Sequence, residues 1–324
     1  MKKVVLPNGL TVLYHPKKGN SVVVEVMVKV GSSHEKNTER GIAHFFEHIL
    51  FEGTKKRPTN KEISNEIERI GGDFNAYTSN ERTCFYAKVL RKHFPIAVEV
   101  LADILQNPLL REKDIQKEKK VVLKEIAMIH DEPRFYQWIL LQQNLFEKNP
   151  CRYPTYGNSK VIKVLNRKKI LEFFSKYYAP NNMVVSIVGN APNWKKEIER
   201  QFVARKGRIA KMSFPAEPAL KKNKTVFLKK NILNTHLILG FKTTPRAHPD
   251  SYVLDVANGI LGRGQSGKMF HEIRSKRGLA YDVGTQIQAD NSCGYFAAYA
   301  IIDKKNIALV KDLMLEEILS LRNV

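Results

Sequence analysis

The sequence predicts an α+β protein made of two related domains. Its 324 residues are enough for two domains of ordinary size, and runs typical of strands alternate with runs typical of helices. A weak internal repeat relates the two halves, because the segment 83–87 (TCFYA) resembles 292–297 (SCGYFA). We therefore predict a first domain over residues 1–205, a linker over 206–222, and a second, related domain over 223–324. The second domain is expected to be incomplete, since it is about half as long as the first.

The first domain opens with a predicted β-hairpin. Asn8-Gly9 separates two short apolar runs, and this dipeptide is a strong signal for a tight turn. A run rich in β-branched residues over 22–30 predicts the next strand, which Gly31 ends. Two more strands are predicted over residues 84–90 and 183–188. Helices are predicted over residues 41–51, 60–70, 94–105 and 112–130.

The segment 206–222 has the composition of a linker. It holds Gly207, Pro215, Pro218 and several lysines, and its apolar residues show little periodicity. A strand-like pattern of Thr, Val, Phe and Leu resumes over residues 225–228. The second domain is therefore predicted to begin with a strand.

The strongly basic composition raises the question of an acidic partner. A formal net charge of +22 is compatible with binding to nucleic acid or to a membrane surface. The lysines, however, are spread along the chain in pairs, and no motif that reads DNA or RNA accompanies them. No apolar run approaches the ~20 residues that a membrane-spanning helix needs. We predict a solvated basic surface with no nucleic-acid or membrane partner, and keep nucleic-acid binding as the minor alternative.

The N-terminal residues and the cysteines bear on the cellular compartment. Only a short apolar run precedes Pro7, whereas a secretory signal needs about 7–15 apolar residues, so the predicted location is cytoplasmic. Cys84, Cys151 and Cys293 are far apart in the chain and form no C-x-x-C pair. This spacing indicates neither a disulfide framework nor a thiolate zinc site, and we expect three small buried side chains.

The sequence His44-Phe45-Phe46-Glu47-His48 predicts a metal site. On a helix, residues four apart lie about 40° apart around the axis and about 6 Å apart along it, so both imidazoles can bind one ion. Glu47 lies on the same side and can accept a proton from a water that the metal activates. The alternative is an ordinary helix with two surface histidines.

A catalytic zinc ion needs a third protein ligand and an open position for water. Glu118 and Glu125 are two helical turns apart, so they share one face of the predicted helix 112–130. They are also separated by about 10 Å along the axis, so one ion is not expected to bind both directly. One glutamate should bind the metal and the other should support it from nearby. The alternative for either residue is a solvated surface carboxylate.

These segments together resemble the H-x-x-E-H zinc peptidases related to mitochondrial processing peptidase, pitrilysin and insulin-degrading enzyme. The resemblance extends over essentially the whole chain. Residues 41–48 (GIAHFFEH) with 51–54 (FEGT) are similar to the family's metal-binding helix and the turn after it. Residues 71–78 (GGDFNAYT) are similar to the segment that lines the cleft, and residues 118–125 resemble the helix that carries the third ligand.

The resemblance implies a role for each candidate residue of the first domain. His44, His48 and Glu125 would bind one Zn²⁺ per chain, with Glu47 as the base and Glu118 supporting catalysis from nearby. Residues of the cleft segment would align the peptide substrate as an added strand, a mode that gives affinity with loose sequence preference. These substrate-binding residues are Asn75, Ala76 and Tyr77.

The resemblance also implies a catalytic contribution from the second domain. Residues 274–281 (RSKRGLAY) are similar to the family's Arg/Tyr element. Arg274 and Tyr281 would contact the scissile region of the substrate, and a guanidinium and a phenol can both donate to a developing oxyanion. The nearby glycine-rich segment 262–267 (GRGQSG) lacks the Lys-Ser/Thr pair of a phosphate-binding loop and would shape the cleft instead.

Family resemblance sets the expected architecture and function. Such proteins consist of repeated α+β units, each a mixed sheet covered by helices, and two halves close like a clamshell over an unfolded peptide. For subunits of about this size the resemblance implies a dimer, so we expect a homodimer or a heterodimer with a related subunit. The predicted function is zinc-dependent endopeptidase activity on unfolded peptides. The alternative is a non-catalytic structural or partner subunit on the same fold.

Overall fold

The computed structural model describes residues 1–204, 206–207, 209 and 213–323. Contacts within the chain group it into two units. The first unit comprises Met1–Ala127 and Pro154–Ser213, and the second comprises Met128–Tyr153 and Phe214–Val324. The predicted boundary at 205 and part of the predicted linker 206–222 fall on residues outside the described ranges, so these boundaries stay a prediction.

A six-stranded mixed sheet forms the centre of the first unit. The strands lie in the order β1-β2-β6-β3-β5-β4, and the pairing of β2 with β6 is parallel whereas the other pairings are antiparallel. The predicted β1–β2 hairpin is confirmed, with Gly9 at its turn in the left-handed region at φ 84°. The strands are β1 (Lys2–Val5), β2 (Thr11–His15), β3 (Ser21–Val28), β4 (Asp73–Thr78), β5 (Thr83–Leu90) and β6 (Met183–Gly189).

Helices cover this sheet and carry most of the predicted helical segments. In β3 the valines at alternate positions are fully buried while the intervening side chains are partly exposed, as the period of two in a strand requires. Helix α3 is buried along most of its length and packs on β5 and β3. The helices are α1 (Ile42–Ile49), α2 (Asn60–Glu68), α3 (Phe94–Gln106), α4 (Glu112–Asp131), α6 (Ser159–Val164), α7 (Arg167–Tyr177) and α8 (Trp194–Gln201). The boundary between the units falls within α4.

The second unit is built on an antiparallel sheet in the order β7-β9-β8. Alternate residues of β9 enter two different apolar clusters, one with Ala298 and Ala300 and the other with Tyr295 and Ala297. Both faces of this strand are therefore buried. The elements are α5 (Pro133–Leu145), β7 (Thr235–Thr243), α9 (Asp250–Gly262), a π-helical segment (Phe270–Ser275), β8 (Ala280–Ala289), β9 (Gly294–Ile302) and α10 (Ile307–Ser320).

The two units repeat one arrangement of strands. In the first unit the sequential strands β4 and β5 form an antiparallel pair, and β5 also pairs with the earlier strand β3. In the second unit β8 and β9 form the pair, and β9 also pairs with the earlier strand β7. In both units helices follow the earlier strand, and another helix follows the pair. The predicted α+β class with two related halves is confirmed, although the described pairings of the second sheet are all antiparallel.

Two segments differ from the sequence analysis. Residues 225–228, predicted to form a strand, lie outside the described strands, and Val226, Phe227 and Leu228 are exposed. Apolar β-branched and aromatic residues form a strand only where a neighbouring strand supplies hydrogen-bond partners. The segment 128–153, assigned from sequence to the first domain, is grouped with the second unit because α5 packs on β7.

The remaining expectations concern cysteines and membranes. Cys84, Cys151 and Cys293 are buried free thiols, as predicted. Among the described helices, none combines the length and apolar character that crossing a bilayer requires.

Candidate metal centre

Helix α1 carries the two candidate histidines and the candidate base. Its apolar side chains Ile42, Phe45 and Ile49 are buried and anchor one side of the helix in the core. His44 is buried and His48 is partly exposed, so the histidine side of the helix faces the edge of the core. Glu47 is partly exposed and lies between them in sequence, where it stays accessible to water.

Helix α4 supplies the two candidate carboxylates. Ile115, Val122 and Ile126 are buried and hold the helix against the core. Glu118 is also buried, with a side chain only 7% exposed, whereas the Glu125 side chain is 31% exposed. The predicted sharing of one helix face is confirmed, because both glutamates reach His48 on α1.

Each ring nitrogen of His48 faces a different carboxylate. His48 Nδ1 lies 3.4 Å from Glu118 Oε2, and His48 Nε2 lies 3.4 Å from Glu125 Oε2. Glu125 Oε1 lies 3.6 Å from His44 Nε2. Both imidazoles therefore present Nε2 toward Glu125, while Glu118 is at the opposite ring nitrogen of His48.

These positions fit the requirements of a metal site. One donor atom from each of His44, His48 and Glu125 lies within 4.8 Å of the others. Two imidazole nitrogens and one carboxylate oxygen form a known donor set of catalytic zinc, which leaves a coordination position for water or substrate. The residues present therefore fit the ion that the sequence predicts.

The electrostatics of the cluster favour positive charge between the helices. Hydrogen bonds from His44 and then His48 hold the pKa of Glu125 well below its usual value. Burial lowers the pKa of His48, but hydrogen bonds to Glu118 and Glu125 outweigh it and raise this pKa to about 9. The carboxylates thus stabilise a cation here, and a bound metal would have to displace the proton of His48.

A cleft of about 250 Å³ opens beside His48. The ring of Phe51 packs edge-on against Phe74 with centroids 5.3 Å apart. Lys117 Nζ donates to Glu52 at 2.6 Å and so ties the turn after α1 to α4. The cleft is lined by His48, Phe51, Glu52, Asn60, Phe74, Asn75 and Glu118. Phe74 and Asn75 belong to the segment 71–78 that the resemblance places in the cleft, whereas Asn60 was not singled out from sequence, because only the packing of α2 brings it beside α1.

The candidate substrate-binding residues lie on β4 at the edge of the sheet. Asn75 and Tyr77 are exposed, whereas the side chain of Ala76 is buried on the other face. Asn75 Oδ1 accepts a hydrogen bond from the Ala76 N–H at 2.8 Å, and the Tyr77 hydroxyl lies 3.3 Å from Glu25 Oε1. β4 pairs with β5 on one side, and no described strand pairs with its other side. The buried side chain of Ala76 is therefore not available to a ligand.

Arg274 and Tyr281 lie together in the second unit. The guanidinium carbon of Arg274 is 5.0 Å from the ring centroid of Phe270 and 5.7 Å from that of Tyr281. Tyr281 is 68% exposed and sits at a break in the pairing register between β8 and β9, where a strand can redirect a side chain. The pair forms an exposed hydrogen-bond donor group.

The glycine-rich segment 262–267 has a packing explanation. A Cβ atom on Gly262 would collide with Thr285 in β8, so the end of α9 approaches this strand more closely than a side chain allows. The close approach accounts for Gly262 without a phosphate ligand.

Comparison with known proteins identifies relatives over most of the chain. Residues 10–159 match the family described as insulinase (peptidase family M16), and residues 165–323 match the domain described as the peptidase M16 inactive domain. An uncharacterized zinc protease of Rickettsia bellii (strain RML369-C) is 39% identical over 300 residues, covering 91% of this chain and 72% of the relative. The uncharacterized zinc protease YmxG of Bacillus subtilis (strain 168) is 34% identical over 303 residues, covering 92% and 70%.

Solved structures show the same fold. A protease from Helicobacter pylori superposes with a TM-score of 0.91 at 25% identity, covering 97% of this chain and 78% of that protein. Pitrilysin superposes with a TM-score of 0.73 at 22% identity and covers 98% of this chain, although the match spans 35% of pitrilysin.

Proposed function

The chain belongs to the insulinase family of peptidases, M16, and on this premise we propose that it is a zinc-dependent endopeptidase acting on unfolded peptides. The observation that carries the proposal is the meeting of two imidazoles and a carboxylate, His44, His48 and Glu125, between α1 and α4. Its relatives are named zinc proteases, which agrees with this donor set.

In the proposed mechanism His44, His48 and Glu125 would hold a zinc ion. A bound zinc ion would act as a Lewis acid that polarises the peptide carbonyl and makes water a stronger acid. Glu118 orients the imidazole of His48, because its carboxylate is 3.4 Å from Nδ1 and leaves Nε2 toward the metal position. A carboxylate partner of this kind holds the ring in one tautomer and makes it a better ligand.

Glu47 acts as the general base. It takes a proton from the attacking water and then delivers it to the leaving amine, a role that requires a carboxylate accessible to water. Its partial exposure on the same helix as His44 and His48 supports this assignment. Glu47 needs no contact with the metal for this role.

The peptide binds as an added strand along β4. The free side of this edge strand offers backbone N–H and C=O groups, which bind an extended peptide with little dependence on its sequence. Asn75 also lines the cleft beside His48, so a peptide paired with this strand would pass the proposed metal position. Tyr77 and the backbone of Ala76 extend the same surface.

Arg274 and Tyr281 stabilise the oxyanion that forms on the peptide carbonyl. Both side chains are exposed and carry hydrogen-bond donors, and the Arg274 guanidinium lies over the Tyr281 ring. Such donors contribute most where charge develops in the transition state. As the resemblance implies for subunits of this size, we propose that the working form is a dimer of this chain or of this chain with a related subunit.

The test is zinc content combined with digestion of an unfolded peptide library. We expect close to one zinc per chain and internal cleavage that a chelator abolishes and added Zn²⁺ restores. His48→Ala is the matched control, since it removes one ligand and should lose both metal and activity. Cleavage that persists in metal-free protein or in the His48→Ala variant would contradict the proposal.

A non-catalytic subunit is the second candidate function. The description of the matched domain over residues 165–323 as inactive favours it. This alternative predicts stable folding and partner binding without stoichiometric zinc and without cleavage. Zinc analysis therefore separates it from the peptidase.

A further inference from the structure

The metal-binding helix begins at a residue that has no side chain to cap it. Gly41 precedes α1 in the left-handed region at φ 99°, and no side-chain hydrogen bond from this position caps the helix. The first backbone N–H groups of a helix have no partners within it and must be satisfied from outside. In α1, which has only eight residues, these groups are a large share of the backbone that determines its position.

Glu35 supplies the missing acceptor. The Gly41 N–H donates to Glu35 Oε2 at 2.8 Å, and the Ala43 N–H donates to Glu35 Oε1 at 2.8 Å. Glu35 is only 5% exposed, so water does not compete for this carboxylate. Two hydrogen bonds to one planar carboxylate restrain both the rotation of the first turn and its distance from Glu35.

Burial and the neighbouring groups have opposite effects on the pKa of Glu35. Burial raises the pKa of Glu35 to about 8, while the bonds to Ala43 and Gly41 and the charge of Arg40 act in the opposite direction. Arg40 is itself buried and donates to the Ser32 carbonyl oxygen at 3.0 Å. The dipole of α1, which favours negative charge at the helix N-terminus, acts with these hydrogen bonds against the effect of burial.

A small rotation of α1 would move the candidate ligands appreciably. Side chains extend about 5–6 Å from a helix axis, so a rotation of about 10° displaces an imidazole by about 1 Å. Ala43 directly precedes His44, so its bond to Glu35 acts one residue from the first candidate ligand. A displacement of about 1 Å is enough to reduce catalysis about 100-fold.

We propose that Glu35 is a positioning residue: its carboxylate fixes the rotation of α1 and thereby holds His44 and His48 in register with Glu125. This inference rests on the proposed metal centre. It adds a residue that binds neither metal nor substrate and that acts through the backbone of the metal-binding helix.

Cobalt titration of the full chain tests the inference. Co²⁺ occupies zinc sites, and its visible d–d absorption reports ligand geometry in the folded molecules that bind it. Glu35→Gln keeps the shape of the side chain but replaces one oxygen by an NH₂ group. This group cannot accept the hydrogen bond of a backbone N–H. We expect the affinity for Co²⁺ to fall about 10-fold, comparable to the loss of an outer partner of a metal ligand, and the absorption bands at saturation to change.

Glu217→Gln is the matched control. Glu217 accepts hydrogen bonds from the backbone N–H groups of Glu147, Lys148 and Asn149 at 2.8, 2.9 and 2.7 Å, in the second unit. Its replacement removes a backbone-binding carboxylate that has no role in the centre. Wild-type cobalt affinity and spectrum in this variant, with both changed in Glu35→Gln, would support the proposal. A folded Glu35→Gln chain with wild-type affinity and bands would overturn it.

Two further measurements cover the other outcomes. If Glu35→Gln does not fold, Glu35→Asp is used instead, because the shorter side chain of aspartate can reach only one of the two N–H groups. An unchanged cobalt spectrum in Glu35→Asp would then overturn the proposal. Amide hydrogen exchange at Gly41 and Ala43 in metal-free protein tests the capping directly and should be faster in Glu35→Gln. Wild-type protein that binds no Co²⁺ would reject the proposed function, and equal exchange in both chains would independently overturn the role of Glu35.

Discussion

At the scale of single residues, the candidate centre assigns different tasks to four carboxylates that lie close in the fold. Glu125 faces the Nε2 atoms of both histidines, Glu118 faces the other nitrogen of His48, Glu47 is accessible to water, and Glu35 binds the helix backbone. All four residues are glutamates, so their proposed roles differ only because each carboxylate has different contacts. Replacing each glutamate by glutamine therefore gives a different expected phenotype.

The first prediction concerns Glu47. In Glu47→Gln the proton acceptor is lost, so peptide hydrolysis should fall at least about 100-fold, within the range of a general base. Zinc content should remain near one per chain, because the residue is proposed as a base and not as a ligand. Metal analysis and cleavage rates on one preparation check both statements, and loss of zinc from the variant would contradict the assignment.

The second prediction compares Glu125 with Glu118. Glu125→Gln removes a carboxylate that faces both imidazoles and should weaken zinc binding strongly. Glu118→Gln should reduce metal affinity or activity about 10–100-fold, as outer partners of metal ligands typically do. Competition with a chelator of known affinity measures both variants. A larger loss of zinc in Glu118→Gln than in Glu125→Gln would exchange the two roles.

At the scale of elements, the position of α1 depends on contacts at its N-terminus. The loop that contains Gly157 comes so close that a Cβ atom there would collide with the backbone of Arg40 and Gly41. Gly157 also has φ 77°, in the region that glycine favours over other residues. The loop and the Glu35 carboxylate thus both act on the first turn of the helix.

The third prediction follows from this contact. Gly157→Ala adds a Cβ atom where there is no space and strains the backbone, so the free energy of unfolding should fall by about 1–3 kcal/mol. Gly259→Ala is the control, since a Cβ atom there meets no described atom within 4 Å and the residue lies inside α9. That variant should be neutral or more stable by up to about 1 kcal/mol. Urea unfolding of both variants measures these changes. A Gly157→Ala variant as stable as the unchanged protein would contradict the prediction.

At the scale of the whole molecule, the proposed catalytic groups come from different units of the chain. His44, His48 and Glu125 belong to the first unit, whereas Arg274 and Tyr281 belong to the second. The resemblance to dimeric peptidases implies that the second domain of one chain completes the site of another. We therefore expect the Arg/Tyr pair to act in trans.

The fourth prediction is complementation between two inactive chains. One chain carries His48→Ala, and the other carries Arg274→Ala with Tyr281→Ala. In a mixed dimer that acts in trans, one site combines both defects and the other is intact, so about half of the activity per mixed dimer should return. If the pair acts in cis, each site keeps one defect and the mixture stays inactive. Peptide cleavage after subunit exchange, with heterodimers proven by differential tags, distinguishes the two arrangements.

Local sequence determined the parts of the protein that depend on near neighbours. The spacing of His44 and His48, the shared face of Glu118 and Glu125, and the hairpin at Gly9 all follow from the geometry of one helix or one turn. The apolar patterns of the chain were likewise sufficient to predict helices α1 to α4 and all strands of the first unit except β4.

The tertiary structure decided what depends on residues far apart in the chain. The distance between α1 and α4 assigns each carboxylate to a particular ring nitrogen of His48, and no local pattern contains that distance. Glu35, which caps α1, lies outside the helices and strands. Its neighbours in sequence do not distinguish it from an ordinary solvated glutamate. Residues 225–228 carry a strand-like pattern but are not part of a described strand, because strand formation requires a partner for the backbone hydrogen bonds. Helical geometry is set within a few residues, whereas pairing and ligand assignment are set by packing between distant segments.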